Sequence, residues 1–177
     1  MAPTPLSGKG GFAAYSCMDP ATARAALRLF PYGLYAITVK HEGDEHASTA
    51  SWVMQASFHP PMVAVAIENT SKTIAMVRDA HHFAISCLHE GQREVAEKLG
   101  RPSAAASQKL KGIKTKPAPA SGVPVLADAI GWVECRVVAT LPGGDHTIVL
   151  GEVLEAGVER DGAKPLTLDG AGFTYSG

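Results

Sequence analysis

The pattern of apolar and polar positions predicts a protein built mainly from strands joined by hairpins. Apolar or alternating runs with the length and branching of strands are bounded by turn residues. They lie at 34–40, 46–52, 62–68, 82–88, 123–126, 131–141 and 146–158. Residues 42–45 and 142–145 combine glycine with acidic residues, which favours tight turns between antiparallel neighbours.

Three short helices are predicted between these strands, at Pro20–Phe30, Lys72–Arg78 and Gln92–Leu99. Asp19 is placed to cap the first helix and Pro20 to occupy its first position. Gly100 ends the third helix. No strand–helix–strand rhythm runs through the chain, so a doubly wound parallel sheet is disfavoured. The pattern instead predicts an antiparallel barrel with small helices packed on it.

Two stretches show neither the alternation of apolar residues typical of a strand nor the apolar periodicity of a helix. After Trp52 the alternation breaks, and Pro60 with Pro61 argues against a regular strand or helix before residue 62. Residues 101–122 are rich in Ala, Ser, Lys and Pro, which predicts a long surface loop with at most one helical turn at 108–111. We expect the four lysines of this loop to form a solvated rim; they are residues 109, 111, 114 and 116.

Composition narrows the class of protein. With 177 residues, one domain is expected over 19–177, preceded by a flexible tail over 1–18. A formal net charge of −1 gives no reason to expect nucleic acid or an anionic membrane as partner. No run approaches the roughly 20 apolar residues of a membrane helix, and residues 1–11 lack a signal core, so cytoplasmic residence is predicted.

Metal and nucleotide motifs are missing from the sequence. The three cysteines form no CxxC pair, and the seven histidines show no ligand spacing, so no metal site is predicted. Neither GxGxxG after a strand nor a P-loop occurs.

The candidate chemistry lies in two clusters of small hydroxylated residues, 48–51 and 69–73, which bracket the buried run 62–67. Short hydroxyls, backbone N–H groups and one lysine suit an anion such as phosphate. Serine and threonine also cap helices and form turns, and by composition alone that explanation is the stronger one.

Seven segments, taken in order, resemble the flavin-reductase-like branch of the FMN-binding split barrels. They are 26–33, 48–61, 69–73, 83–88, 122–126, 132–137 and 144–151, within about residues 20 to 175. The run Ser-Trp-Val-Met-Gln-Ala-Ser-Phe at 51–58 is similar to reductases paired with electron-transfer partners, such as the flavin-reductase module of flavodiiron proteins. Reductase components of two-component monooxygenases belong to the same branch.

The resemblance implies an antiparallel split β-barrel that dimerises and holds FMN, sometimes FAD, in a groove at the dimer interface. Ser71, Lys72 and Thr73 match the positions that hold the phosphate. The stretch that wraps the isoalloxazine and ribityl chain is matched by Ser48, Thr49, Ala50, Ser51, Trp52, Gln55, Ala56 and Ser57. The indole of Trp52 is expected either to cover a ring face or to serve as a core or dimer contact.

His146 matches a position near the flavin face where a nicotinamide can stack, and a purely structural role remains an equal alternative. Tyr32 stands where many relatives carry a smaller residue, which would narrow the groove. Residues 169–173 resemble the family's closing turn but lack its basic residue, which weakens the case for a dinucleotide phosphate contact there.

The implied reaction is hydride transfer from NADH or NADPH to flavin, with electrons passed on to free flavin, an oxygenase, a ferric chelate or a redox protein. The cofactor carries such chemistry, so no acid–base dyad need stand out in the sequence. The alternative is a non-catalytic FMN protein that a protein partner reduces and that relays electrons.

Overall fold

A computed structural model describes residues 18–103 and 108–175. The chain divides into two compact units, residues 1–30 with 176–177, and residues 31–175. The tail predicted over 1–18 lies, apart from Met18, outside the described residues, and the single domain expected over 19–177 stays a prediction.

The described part of the first unit contains helix α1, Pro20–Leu27. The Asp19 carboxylate accepts hydrogen bonds from the backbone N–H groups of Ala21 and Thr22, as the predicted cap requires. Bonds from Thr22 lower the pKa of the Asp19 carboxyl. The predicted end at Phe30 is wrong, because the last three residues form a turn after the helix.

The second unit is dominated by one antiparallel sheet of seven strands in the order β2-β1-β5-β8-β9-β4-β3, beside a two-stranded ladder of β6 and β7. The strands are β1 Tyr35–His41, β2 Asp44–Ala50, β3 Val53–Ser57, β4 Met62–Glu68, β5 His82–Cys87, β6 Thr115–Pro117, β7 Pro124–Leu126, β8 Gly131–Gly143 and β9 His146–Val158. The helices of this unit are α2 Lys72–Ala80 and α3 Arg93–Gly100, with a 3₁₀ turn at Glu90–Gln92.

The sheet curls until its two ends approach each other. Strand β2 is at one edge, yet its Cα atoms come within 8 Å of those of β4 near the opposite edge. No ladder of hydrogen bonds joins these two strands in the described sheet. The result is a barrel with an open seam, which confirms the predicted split β-barrel of mainly antiparallel strands with three small helices.

Strand β2 turns alternate side chains toward two helices, because successive residues of a strand point to opposite faces. Ser48 lies opposite Ile37, in the core cluster that contains α2, and its hydroxyl accepts a bond of 2.9 Å from Thr73. Thr49 faces the other way and donates to the Ala96 carbonyl of α3 at 2.6 Å. Both helices are therefore anchored to the strand that borders the seam.

Strand β3 corrects the sequence prediction, which had excluded regular structure at 53–61. Residues 53–57 pair with β4 alone, at the edge of the sheet, and the register shifts between Gln55 and Ser57. Met54, Gln55 and Ala56 are all exposed, so neither face of β3 produces an apolar alternation. The two prolines lie in the turn that follows.

The loop predicted over 101–122 is more ordered than expected. It contains β6, and the buried Glu134 carboxylate accepts hydrogen bonds from the backbone N–H groups of Ala120 and Ser121 at 2.9 and 2.5 Å. The expected solvated rim is wrong for Lys109, which is buried. Lys111 and Lys114 are exposed as expected, and Lys116 is half-buried in an ion pair with Glu159.

Candidate functional site

A cleft of about 920 Å³ lies along the seam between β2 and β4. Its size falls near the upper end of the roughly 300–1,000 Å³ range of ligand pockets. The start of α2 and the end of α3 form two of its walls, and residues near the end of the chain form a third. The cleft is therefore bordered by three segments that are distant in sequence.

Most of the predicted site residues meet in this cleft. The lining includes Ser48, Thr49, Ala50, Ser51, Trp52, Ser71, Lys72 and Thr73. The two hydroxylated clusters are brought together because β2 and β4 lie on either side of the seam. The cluster 48–51 forms the end of β2, and the cluster 69–73 follows β4. Their meeting agrees with the resemblance, although it does not by itself assign a ligand.

The turn before α2 has the features of an anion site. Ser71 caps the helix, with its Oγ accepting from the N–H of Ile74 at 3.3 Å and donating to the carbonyl of Glu68 at 2.8 Å. The first turn contains no acidic residue, and the Lys72 side chain is exposed at this point. The positive end of the helix dipole and the lysine charge both favour a negative group here.

Lys109 adds a second cation that sequence reasoning missed. The residue lines the cleft with 5% of its surface exposed, and its Nζ donates to the Leu99 carbonyl at 2.9 Å. Among the described residues it makes no ion pair with a carboxylate, and burial lowers the pKa of its ammonium. A buried ammonium without a counter-ion favours an anionic ligand.

The charges of the two lysines both lower the pKa of one buried histidine, His46 of β2. The pKa of His46 falls to about 4, chiefly because the ring is buried and further because of the charges of Lys109 and Lys72. The two ammonium groups therefore reach the same strand, one from the loop after α3 and one from the start of α2. We call Ser71, Lys72, Thr73 and Lys109 the anion end of the cleft.

Two cleft residues carry buried polar atoms that have no hydrogen-bond partner in the described part of the chain. They are Ser51 Oγ and Trp52 Nε1. Leaving a buried donor unpaired costs about 1–3 kcal/mol. A flat ligand with nitrogen and oxygen atoms along its edge supplies partners for such donors, so the residues present fit a flavin with its phosphate at the anion end.

His146 lies behind the cleft and not on its surface. Its side chain is 8% exposed, its Nδ1 is 2.6 Å from Asp145 Oδ1, and its Nε2 is 2.8 Å from the hydroxyl of Tyr175. The hydrogen bond with His146 lowers the pKa of the Asp145 carboxyl. The ring centroids of Trp52 and His146 are 4.6 Å apart, and those of Trp52 and Tyr175 are 5.2 Å apart. We call Trp52, His146 and Tyr175 the aromatic end.

The remaining predicted residues are not brought to the cleft of a single chain. Gln55, Ala56 and Ser57 lie on β3, outside the lining, and the Gln55 amide donates to the nearby Ser57 carbonyl at 3.3 Å. Tyr32 is also outside the lining, so it does not narrow this cleft. In contrast, Phe173 and Tyr175 do line it. The resemblance places Phe173 in the closing turn, whereas the sequence pattern gives Tyr175 no role.

A metal centre and a membrane-crossing helix are both absent from the described ranges. No group of three or more His, Cys, Asp or Glu side chains in residues 18–103 and 108–175 is arranged to hold a metal ion. None of the helices described there is long and apolar enough to cross a membrane.

Comparison with known proteins identifies the family of this chain. Residues 27–176 match the flavin reductase like domain family. A flavin reductase (NADH) from Kitasatospora aureofaciens is 30% identical over 168 residues, which cover 94% of this chain and 86% of that protein. The reductase component of a 4-nitrophenol monooxygenase from Rhodococcus opacus is 34% identical over 139 residues, 78% of this chain and 72% of that one.

A solved structure extends the likeness to three dimensions. The NADH:FAD oxidoreductase of Streptomyces globisporus superposes with a TM-score of 0.79 at 26% identity, over 89% of this chain and 92% of that one. The chain belongs to the flavin reductase like domain family, and the resemblance predicted from its motifs is confirmed.

Proposed function

We propose that this protein is an NAD(P)H-dependent flavin reductase that binds FMN in the seam cleft. The observation that supports it best is the pairing, in one cleft, of the anion end with the orphan donors of Ser51 and Trp52. A relative named flavin reductase (NADH) supports the same activity. FAD is an alternative cofactor, since a similar structure is named an NADH:FAD oxidoreductase.

In this proposal the chain binds and orients while the flavin supplies the hydride-accepting chemistry. Ser71, Lys72, Thr73 and Lys109 hold the phosphate. Ser48, Thr49 and Ala50 allow close approach of the ring and its ribityl chain, because their side chains are small. Ser51 Oγ and Trp52 Nε1 donate to the ring edge. The aromatic end is the place where a nicotinamide from NADH or NADPH comes closest to His146.

We propose that the reduced flavin serves an oxygenase partner. Support comes from relatives that are reductase components of monooxygenases, such as the one from Rhodococcus opacus. Cytoplasmic residence, predicted from the sequence, is part of the same proposal.

We further propose a homodimer in which strand β3 packs against a second copy. Met54 and Phe58 are 64% and 76% exposed on or next to this edge strand, so together they offer a second copy an apolar surface to cover. Gln55, Ala56 and Ser57 lie on the same strand and would then reach the cleft of the second copy. Sedimentation that gives a monomer with flavin still bound would contradict the dimer.

The test of the activity is an anaerobic absorbance spectrum of the FMN-loaded protein before and after NADH, and then NADPH. Bleaching of the flavin band at a catalytically useful rate is expected, and the faster donor identifies the preference. A flavin band that ignores both donors and bleaches only with dithionite would favour the electron-relay alternative. Protein that acquires no flavin band would remove both.

A further inference from the structure

Tyr175 occupies the position from which a ligand would reach His146. Its hydroxyl is 2.8 Å from His146 Nε2, and its ring stands edge-on to Trp52 at an interplanar angle of 62°. Because Asp145 already binds Nδ1 of the same imidazole, both ring nitrogens of His146 are engaged by the protein. His146 therefore offers no free nitrogen to the cleft while Tyr175 stays in place.

The direction of these hydrogen bonds follows from the chemistry of the groups. The Asp145 carboxylate accepts only, so Nδ1 must donate to it. In the neutral imidazole Nε2 is then an acceptor, and the Tyr175 hydroxyl donates to it. Burial and the nearby charges of Glu68 and Asp145 raise the pKa of the Tyr175 phenol, so this donor keeps its proton.

Tyr175 is attached to the rest of the protein differently from the residues just before it. The Phe173 N–H donates to the Leu168 carbonyl at 3.0 Å, and Arg93 holds the segment through the Ala171 carbonyl at 2.8 Å and through its position 5.1 Å from the Phe173 ring centroid. Residues 174 and 175 have no regular structure, and Tyr175 is exposed. The Phe173 anchor thus leaves Tyr175 held by its contacts at the aromatic end.

From this arrangement we infer that Tyr175 competes with the nicotinamide for the aromatic end, and so sets the affinity for the hydride donor. This inference rests on the proposed function. A nicotinamide presents a flat ring to Trp52 and a carboxamide N–H that can replace the phenol as donor to His146 Nε2. Tyr175 and the nicotinamide therefore compete for the same acceptor and for contact with the same Trp52 ring, and only one of them fits at a time.

Competition of this kind has a measurable signature. When a side chain occupies a site for most of the time, the apparent dissociation constant of the ligand rises by the inverse of the open fraction. Removing the side chain must then tighten binding, whereas removing a residue that holds the ligand would weaken it. The sign of the change separates the two roles.

The first experiment measures single-turnover bleaching of bound FMN against NADH concentration in the full-length protein. Tyr175→Ala is expected to lower the half-saturating NADH concentration about five- to tenfold, and Tyr175→Phe about two- to threefold because the ring remains on Trp52. Tyr35→Phe makes the same atomic change outside the cleft and is expected to leave the value unchanged. An unchanged or raised value in Tyr175→Ala overturns the inference.

A second measurement needs no turnover. The ¹⁵N resonance of His146 Nε2 in the FMN-loaded protein should shift in Tyr175→Phe, and should shift in the wild type when NAD⁺, which cannot reduce the flavin, is added. NAD⁺ that binds while Nε2 keeps its resonance would overturn the inference. Wild-type protein bleached by neither NADH nor NADPH would remove the proposed function and this inference together, whereas bleaching with no effect of Tyr175→Ala removes the inference alone.

Discussion

The two ends of the cleft differ in what satisfies their polar groups. At the anion end, Lys109 is buried without a carboxylate partner among the described residues, and Lys72 is exposed at a helix start. At the aromatic end, Asp145 and Tyr175 engage both nitrogens of His146. One end is built for a group that the chain does not supply, while the other is closed by the chain's own side chains. A ligand should therefore gain charge pairing at the first end and meet competition at the second.

The largest expected effect is a loss of stability in acid, which arises from His46 next to the two lysines of the anion end. The pKa of His46 is about 4 in the folded protein against 6.5 for the free side chain, so the unfolded chain binds the proton more readily. Stability is fully present above pH 6.5 and is lost as the pH falls toward 4. The shift corresponds to about 3 kcal/mol in the free energy of unfolding. Denaturant titrations of the flavin-free protein at pH 7 and pH 4 measure it.

The matched variants for this acid effect are His46→Gln and His59→Gln. The first removes the buried group that titrates, so most of the pH dependence between 6.5 and 4 should disappear. The second removes an exposed histidine and should retain it. Equal pH dependence in His46→Gln and the wild type would show that burial and the two lysine charges do not keep the His46 ring neutral.

The next largest effect is expected from reversing the charge at the helix start. Lys72→Glu replaces an attractive charge with a repulsive one at the α2 terminus, and should weaken FMN binding about 100-fold, or roughly 2.7 kcal/mol. Lys111→Glu makes the same change at an exposed residue outside the cleft lining and should alter affinity little. Quenching of FMN fluorescence gives both dissociation constants. Equal losses in the two variants would indicate net charge alone and remove the phosphate assignment.

A smaller effect is expected at the second cation. Lys109→Met keeps the apolar stem and removes the ammonium, so FMN affinity should fall about tenfold. The flavin-free protein should lose little stability, because an unpaired buried charge is removed along with one hydrogen bond. Thermal melts with and without FMN separate the loss of FMN affinity from any loss of stability in the flavin-free protein. A large loss of stability without FMN, together with unchanged FMN affinity, would make Lys109 a helix cap only.

The sequence predicts those elements of the fold that are determined by residues close to them in the chain. Strands such as Met62–Glu68 and His146–Val158 end where expected, because one apolar face and the adjoining turn define them. The cap at Asp19 and the start of α2 at Lys72 are set by residues within three positions of each helix start. The clusters at 48–51 and 69–73 are equally local runs of small hydroxylated residues, and the fold places both at the cleft.

The features that were missed depend on distant partners. Strand β3 exists because β4 pairs with it, although its own residues are exposed. Lys109 is buried because the segment around it packs against α3. Nothing in a run of Ala, Ser and Lys distinguishes this lysine from Lys111. Tyr175 gains its position from His146, 29 residues earlier. Sequence spacing carries no record of such contacts.

The smallest effect tests the orphan donors that lie between the two ends. Ser51→Ala removes a buried hydroxyl that has no partner in the described structure, so the flavin-free protein should become more stable by about 1 kcal/mol. The same change should weaken FMN binding about three- to fivefold, since a donor to the ring edge is lost. Ser86→Ala is the matched control, because its buried hydroxyl accepts from the Leu126 N–H at 3.1 Å and its loss should destabilise the protein. Opposite signs in the two unfolding titrations would identify Ser51 as a group held ready for a ligand. Destabilisation in both variants, with FMN affinity unchanged, would mean that Ser51 belongs to the core and that the flavin edge contacts other residues.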